Sequence, residues 1–228
     1  MIVAIDGPAG AGKSSVSRSL AQRLGFQFLD TGAMYRTVAL AALERGLGDG
    51  DEAEVARMTE RLQLDFSGDR VLLDGRDVTA EIRTSRVSAA VYLAADNPEV
   101  REKMVDLQRK IAGERDTVTE GRDQGTVAFP NAECKIFLTA SPEERAHRRV
   151  VQLIDLGIDA DYQEILLQQN QRDINDISRE SGGLKEAPDS ITVWTDGLSE
   201  EQVLQKLVDI VQSKLKCGTD FQPVRTLI

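Results

Sequence analysis

A glycine-rich segment near the start of the chain carries the clearest chemical signal. Residues 7–14 read "GPAGAGKS", which matches G-x-x-x-x-G-K-[ST] in full and lies between a short apolar run and a helix-like stretch. In such a loop, main-chain N–H groups bind phosphate oxygens, the lysine binds the β- and γ-phosphates, and the hydroxyl helps to hold Mg²⁺. We therefore predict a nucleoside triphosphate site, with Lys13 at the phosphates and Ser14 holding Mg²⁺ largely through water. The predicted ATP-binding residues are Gly7, Pro8, Ala9, Gly10, Ala11, Gly12, Lys13, Ser14 and Ser15.

Arginines are concentrated beside acids and hydroxyls in three later segments. These read "DTGAMYR" at 30–36, "TEGRDQGTVAFP" at 119–130 and "RDINDISR" at 172–179, in a chain with 38 acidic and 28 basic side chains. Arginine forks bind phosphate oxygens through paired hydrogen bonds. Loops that follow the strands of an α/β sheet meet at one edge, so the three segments predict a second phosphate site, for an acceptor. For any single arginine, a solvated surface charge explains the sequence equally well.

Length and composition limit the class of protein. A chain of 228 residues, 41% of them hydrophobic and 29% charged, forms one core with room for a small insert. The net charge of -10 repels polyanions, so we expect no nucleic acid polymer and no membrane surface as partner. The two cysteines show no metal-ligand spacing, which predicts reduced thiols. Because no apolar run approaches the roughly 18 residues of a membrane helix and no leader pattern precedes the first strand, we expect a cytoplasmic protein.

Short apolar runs that alternate with helix-period segments indicate an α/β fold. Such runs are typical of parallel strands that helices cover on both faces. Helix starts are indicated at Ser141 and Ser199, each followed three residues later by Glu or Gln. After Ser199, an apolar stripe from Val203 to Leu215 has helical spacing and predicts a core-facing helix. The predicted strands are 2–5, 26–29, 117–119, 135–138 and 191–194.

One segment breaks this alternation. Residues 64–78 read "LDFSGDRVLLDGRDV", in which short pieces are joined by Ser-Gly-Asp and Asp-Gly turns. The pattern predicts a small antiparallel meander outside the parallel core.

Residues 217–228 lack periodicity, and we expect a flexible tail. The chain has no Asn-Lys-x-Asp element for reading guanine, and its D-x-x-G match at 65–68 lies in a predicted turn, so a GTPase switch is disfavoured.

Seven motifs together resemble those of the bacterial cytidylate kinase family, from residue 2 to about residue 211. They read "IDGPAGAGKSSVSRSLA", "LDTGAMYR", "DVTAEIRT", "NPEVRE", "EGRDQGTVAFP", "KIFLTASPEERAHRR" and "LSEEQV". The resemblance implies an α/β, P-loop NTPase-type three-layer fold with a five-stranded parallel sheet, a small monophosphate-binding insert with a short antiparallel sheet, and a helical lid. It divides a single kinase domain, 1–216, into a core (1–35, 114–145 and 188–216), an insert (about 36–113) and a lid (about 146–187).

The family's activity is transfer of the γ-phosphoryl group of ATP to CMP or dCMP with Mg²⁺, in a protein expected to be a monomer. The resemblance implies catalytic roles for Lys13, Arg36, Arg122, Arg148 and Arg149, the last two in the lid. It also implies a CMP site with the acceptor phosphate at Arg36, Arg122, Thr31 and Tyr35, cytosine near Arg101, Asp123 and Arg179, and the pentose at Arg172 and Asp176. Glu120 belongs to the same site, at a position where aspartate also occurs in the family.

The chemistry of the base supports these assignments independently. Cytosine presents an amino donor at N4 beside an acceptor at N3, and uracil presents the reverse. A carboxylate such as Asp123, paired with a donor such as Arg101 or Arg179, therefore fits cytosine and mismatches uracil.

Because the acceptor is already an anionic phosphate, transfer needs no general base. His147, the only histidine, is accordingly expected to be a lid or structural residue.

Four positions depart from the family pattern, and two other functions stay open. Asn175 and Ile177 dilute the polar character that is common in the segment ending at Arg179. Tyr92 stands where a small serine near the nucleotide is usual, which predicts a reshaped contact, and Trp194 on the last strand is expected to pack. One alternative is a small-metabolite kinase that uses the same loop with a hydroxyl acceptor and a base aimed at it. The other is a regulatory protein that binds ATP without transferring phosphate.

Overall fold

The structure is a computed structural model that describes residues 1–67, 70–155 and 157–219. The described strands are β1 (Ile2–Asp6), β2 (Gln27–Asp30), β3 (Leu64–Ser67), β4 (Arg70–Leu73), β5 (Arg76–Asp77), β6 (Thr117–Gly121), β7 (Cys134–Thr139) and β8 (Ile191–Trp194). The described helices are α1 (Lys13–Leu24), α2 (Thr31–Glu44), α3 (Glu52–Arg61), α4 (Ser85–Ala89), α5 (Tyr92–Ala95), α6 (Pro98–Ala112), α7 (Pro142–Asp155), α8 (Tyr162–Ser178) and α9 (Glu200–Thr219).

The central sheet has five parallel strands in the order β2-β6-β1-β7-β8. All five predicted strands are confirmed, because continuous apolar runs suit strands with helices on both faces. Val3, Ala4 and Ile5 of β1 are fully buried, as are Val118 of β6 and Leu138 of β7. The carboxyl ends of β1, β2 and β6 meet at one edge of the sheet. The phosphate loop follows β1, and the arginine-rich segments 30–36 and 119–130 begin at the ends of β2 and β6.

The insert contains the predicted meander. Strands β3, β4 and β5 pair antiparallel in sequence order, which confirms the prediction for residues 64–78. Helices α2 to α6 pack with this sheet around a hydrophobic cluster that includes Met34, Val55, Leu73 and Met104. A second hydrophobic cluster lies between the parallel sheet, α1 and α9, and includes Leu20, Ile136 and Leu207. The division into core, insert and lid stays a prediction.

Both predicted helix caps form. The Ser141 hydroxyl accepts a bond from the Glu144 amide at 3.2 Å, while Ser199 and Gln202 exchange bonds between their side chains and amides at 3.3 and 2.9 Å. On α9, Val203, Leu207 and Val211 are buried and Ile210 is partly buried, whereas Leu215 at the end of the stripe is 41% exposed. A helix of 20 residues spans about 30 Å at 1.5 Å per residue, which is longer than the strands beneath it. The prediction of a core role for Leu215 is therefore wrong.

The helix α9 continues to Thr219, so residues 217–219 are helical rather than part of an irregular tail. The rest of the predicted tail, 220–228, lies outside the described residues. Within the described ranges, no helix is both long enough and apolar enough to cross a membrane. Cys134 is a buried free thiol, and burial raises its pKa to about 11, so it is held as a neutral core residue.

Candidate active site

The phosphate loop and the three arginine-rich segments open onto one cleft of about 740 Å³. Seven lysine or arginine side chains and four carboxylates line its described walls, so the cleft is cationic in an acidic protein. The predicted residues that line it are Ala9, Gly10, Ala11, Gly12, Lys13, Ser14, Ser15, Thr31, Tyr35, Arg36, Arg101, Glu120, Arg122, Asp123, Arg148, Arg172, Asp176 and Arg179. Three predicted residues do not line it, namely Gly7, Pro8 and Arg149. The roles of these residues stay predictions.

The phosphate loop is held in place by close packing against the sheet. A Cβ atom on Gly7 would overlap the main-chain oxygen of Leu138 on β7, so only glycine fits where the loop leaves β1. The Lys13 ammonium donates to the Pro8 carbonyl at 2.7 Å and folds across the loop. Burial lowers the pKa of Lys13, and the positive charge of Arg122 lowers it further. A bound phosphate would reverse this effect by supplying the missing negative charge.

The side-chain oxygens of Ser14 and Glu120, both possible metal ligands, lie close together at the start of α1. The Ser14 hydroxyl donates to Oε1 of Glu120 at 2.9 Å. Burial, followed by the charge of Asp30, raises the pKa of Glu120. Oxygen ligands suit Mg²⁺, which commonly takes one or two protein groups and completes its shell with water and substrate phosphates. Among the described residues, no group of three or more His, Cys, Asp or Glu that could hold a metal ion is present.

The predicted acceptor-phosphate residues come from three different elements. Arg36 on α2 lies 3.8 Å from Asp30, which caps the same helix by accepting a bond from the Ala33 amide. Arg122 follows β6, and its Nε donates to Oδ2 of Asp176 on α8 at 2.7 Å. In the described chain, Nε of Arg36 is buried without a hydrogen-bond partner. Donors that are oriented but unpaired suit an anionic ligand.

Arg172 and Asp176 lie one turn apart on α8, facing the cleft. Burial lowers the pKa of Arg172, and Arg122 adds to the effect. Burial by itself would raise the pKa of Asp176, but Arg122, Arg179 and Arg172 outweigh it and lower the pKa. Asp176 is therefore a carboxylate that holds the surrounding arginines in place.

Arg101 and Asp123 form a buried ion pair at the far end of the cleft. Arg101 also donates to the Ala95 carbonyl at 3.1 Å, and its guanidinium lies 5.5 Å from the ring centre of Tyr35. Burial raises the pKa of Asp123 and raises that of Tyr35 to about 12. Nε of Arg101 and the Tyr35 hydroxyl have no partner among the described residues. This end of the cleft therefore offers both charged and neutral polar groups to a ligand.

Arg179 closes the same end from the lid side. Its Nε donates to Asp96 beside α5, and Nη2 lies 3.1 Å from Oδ1 of Asp176. Gly182, which sequence reasoning missed, lies directly against the Arg101–Asp123 pair. Nothing in the local sequence marks this glycine, because the residues it touches are distant along the chain.

Arg148 and Arg149, the two adjacent arginines predicted to lie in the lid, are placed differently on α7. Arg148 lines the cleft and donates to Oγ1 and the carbonyl oxygen of Thr195, at 3.0 and 2.7 Å. Arg149 is exposed, and the structure does not bring it to the cleft. Arg145, missed by sequence reasoning, is buried and donates to the Ala9 carbonyl of the phosphate loop at 2.9 Å. His147 is exposed and lines the cleft, and its expected lid role stays a prediction.

The two unusual aromatic residues do not behave as predicted. Tyr92 is 42% exposed, and its hydroxyl donates to Asp49 at 2.6 Å, outside the cleft. The adjacent Val91 lines the cleft instead, so the prediction of a contact reshaped by Tyr92 is wrong. Trp194 is 60% exposed on β8, an edge strand, so the expectation that it packs is also wrong. Side chains alternate between faces along a strand, and Val193 is the buried residue here.

A phosphate loop that faces an arginine cluster across one cleft, on a parallel five-stranded sheet, defines a P-loop kinase. The structure is similar to that of a gluconokinase from Sinorhizobium meliloti, with a TM-score of 0.52 and 12% identity. The match covers 96% of this chain and 97% of that one, and at such low identity it concerns the fold alone.

The chain belongs to the cytidylate kinase family, whose family model matches residues 3–213. A cytidylate kinase of Rhodopirellula baltica is 50% identical over 212 residues, which cover 93% of each chain. A cytidylate kinase of Mycobacterium avium is 46% identical over 219 residues, covering 94% of this chain and 96% of the relative. The resemblance seen in the seven motifs is thus confirmed over nearly the whole chain.

Proposed function

We propose that this protein transfers the γ-phosphoryl group of ATP to CMP or dCMP, giving CDP or dCDP and ADP. The observation that carries the proposal is the meeting of two cationic clusters in one cleft, the phosphate loop and the group of Arg36, Arg122 and Arg172. Each cluster suits one phosphate chain, and family membership supplies the identity of the two nucleotides.

In the proposed mechanism, the protein positions two phosphate chains in line and neutralises the charge between them. Charge spreads over the equatorial oxygens of the moving phosphoryl group, and fixed cations stabilise it. Lys13 acts from the donor side and Arg122 from the acceptor side, while Arg148 contributes from the lid. The attacking oxygen belongs to a phosphate that is already anionic, so no residue has to remove a proton.

Mg²⁺ is part of this proposal. The Ser14 hydroxyl and the Glu120 carboxylate, 2.9 Å apart, are the residues that would hold it, directly or through water. When bound, the ion would reduce the repulsion between the donor phosphates and the attacking oxygen.

Selection of cytosine is assigned to Asp123, Arg101 and Arg179. The carboxylate of Asp123 would accept the N4 amino group, and a guanidinium would donate to the acceptor at N3 or O2. Uracil would place a carbonyl oxygen against the carboxylate and an N–H against a donor, leaving buried polar groups unpaired. Arg172 and Asp176 would contact the pentose, and closure of α7 and α8 would exclude water from the phosphoryl group.

A coupled ADP-release assay over a panel of acceptors tests the proposed function. We expect turnover with CMP and dCMP, much weaker turnover with UMP, and none with the Lys13→Met variant, which controls for contaminating kinases. Turnover only with small alcohols such as shikimate would instead favour a metabolite kinase. ATP binding without turnover of any acceptor would favour a regulatory protein.

The cellular setting is proposed from bulk properties. The net charge of -10 disfavours binding to nucleic acid polymers, and the neutral, buried Cys134 suits a reducing compartment. We therefore assign the enzyme to the cytoplasm, with small nucleotides as its partners. A monomer is the expected state on the strength of the family resemblance, and sedimentation of the purified protein tests it.

A further inference from the structure

Asp6 is a buried carboxylate that the proposed mechanism does not use. Asp6 is the last residue of β1, directly before the phosphate loop, and it is only 4% exposed. Oδ1 accepts a hydrogen bond from the Gln124 amide at 2.8 Å, and Oδ2 accepts one from the Gly125 amide at 2.7 Å. One side chain therefore binds two successive amides of the segment that follows β6.

These two hydrogen bonds lie just beyond the end of β6, on the far side of Arg122 and Asp123. Asp6 is in register with Gly121, the last residue of β6, where the ladder of the parallel sheet ends. The chain then passes through Arg122 and Asp123 and enters a π-helical turn at Gln124–Ala128. Arg122 and Asp123 thus stand between two fixed points, the sheet on one side and the Asp6 carboxylate on the other.

We propose that Asp6 is a positioning residue for the acceptor nucleotide, because it fixes the two-residue segment that presents Arg122 to the acceptor phosphate and Asp123 to the base. Asp6 is also the covalent neighbour of Gly7, so the same residue sets the distance between the phosphate loop and the acceptor segment. This inference rests on the proposed function, since it assigns the reason for the placement of Arg122 and Asp123.

The two amide hydrogen bonds favour the charged form of the Asp6 carboxyl and oppose the effect of its burial. Burial raises the pKa of Asp6 to about 6, while the Gly125 and Gln124 amides act in the opposite direction. The charged groups that act on it are Asp123, which raises the pKa, and Lys13 on α1, which lowers it. Lys135 on β7 lies against Gly125, but its ammonium is turned to the Pro130 carbonyl and Asp189.

The Asp6→Asn variant tests the role with little change of shape. Its amide has one acceptor oxygen, so one of the two loop amides loses its partner and faces an NH₂ group. We expect kcat/KM for CMP to fall by about tenfold or more, as for loss of a charge-assisted hydrogen bond. The dissociation constant for ATP should stay within about twofold, because the phosphate loop keeps its own contacts to β7 and Lys13.

A matched control separates positioning from general stability. Thr59 is fully buried in α3, where its hydroxyl donates to the Val55 carbonyl at 2.7 Å, away from the cleft. The Thr59→Val variant should lower the melting temperature and leave the kinetics with CMP unchanged. Equal losses for CMP and ATP in Asp6→Asn, or unchanged kinetics in that variant, would overturn the inference.

A measurement on the wild-type protein covers the case in which Asp6→Asn does not fold. In NMR spectra recorded from pH 5 to 8, the Gln124 and Gly125 amide protons should shift together, with one midpoint near the pKa of the Asp6 carboxyl. Amides that do not respond to that titration would contradict the anchor. Wild-type protein without CMP turnover would refute the proposed function, whereas normal turnover with an unaffected variant would refute this inference alone.

Discussion

Asp123 and Arg101 form an ion pair in which each side chain is only 5% exposed. A pair buried this deeply gains little net stability, because both charges lose their hydration. Its value in this protein lies in position, since it closes the end of the cleft beside Tyr35 and Arg179. Under the proposed function, an incoming base meets a carboxylate and a guanidinium whose geometry is already fixed.

Replacing Asp123 by Asn tests base selection. The variant keeps the size of the side chain but weakens acceptance of the cytosine amino group and offers an NH₂ group to uracil. We expect the ratio of kcat/KM for CMP to that for UMP to fall by about tenfold to a hundredfold, with ATP affinity unchanged. Asp189→Asn is the control, because Asp189 is an exposed carboxylate that pairs with Lys135 outside the cleft. An unchanged ratio in Asp123→Asn would show that the base is read elsewhere.

The adjacent lid arginines allow a matched test of the cleft. Arg148→Met removes a guanidinium that lines the cleft and bonds Thr195, whereas Arg149→Met removes one that is exposed outside it. We expect kcat to fall by about tenfold to a hundredfold in Arg148→Met and to stay within twofold in Arg149→Met. Steady-state kinetics with saturating CMP measure both. A comparable loss in Arg149→Met would mean that lid closure brings that residue to the phosphates.

The pH dependence of stability should carry a contribution from Asp6 with a defined sign. Its pKa is raised by burial to about 6 in the folded protein, from an unfolded value of 3.8. The folded state then binds more protons, so this group's contribution is fully present below pH 3.8 and is lost as the pH rises through 6. We expect wild-type protein to lose up to about 1 kcal/mol per pH unit relative to Asp6→Asn across this window.

Urea unfolding of both proteins at several pH values between 4 and 7 measures this difference. Other carboxylates, such as Asp176 with its lowered pKa, titrate in both proteins and cancel in the comparison. Parallel stability curves for the two proteins would mean that Asp6 titrates at its ordinary pKa, in spite of its burial.

The sequence predicts the elements whose signals are local. The phosphate loop has fixed spacing, the parallel strands have continuous apolar runs, and the helix starts at Ser141 and Ser199 have caps within four residues. The arginine-rich segments are also visible locally, and the rule that strand ends share one edge explains why 30–36 and 119–130 converge, whereas 172–179 reaches the cleft from α8. All these predictions depend on neighbours in sequence or on a general rule of topology.

The residues that the sequence does not reveal depend on distant partners. Asp6 acts on amides 118 and 119 positions away, and Arg145 on a carbonyl 136 positions away. Both lie within motifs quoted for the family, but the local sequence does not show which distant groups they bind, so only the fold identifies their roles. The prediction for Tyr92 is wrong for a related reason. The fold decides which of two adjacent side chains, Val91 or Tyr92, faces the cleft, and it is Val91.

Gly182 gives a last test, of how closely the turn after α8 approaches the Arg101–Asp123 pair to which base recognition is assigned in the proposed function. A Cβ atom on this residue would overlap the Arg101 guanidinium and lie 2.5 Å from Oδ2 of Asp123. Gly182→Ala should therefore push the turn away from the pair, and we expect KM for CMP to rise by about tenfold with kcat for saturating CMP less affected. Gly157→Ala is the control, because Gly157 has a φ of +75°, close to the +64° of Gly182, but nothing within 4 Å. Both variants carry the strain of a side chain in the left-handed region, so a rise in KM confined to Gly182→Ala isolates the steric contact, whereas equal effects would assign it to backbone strain alone.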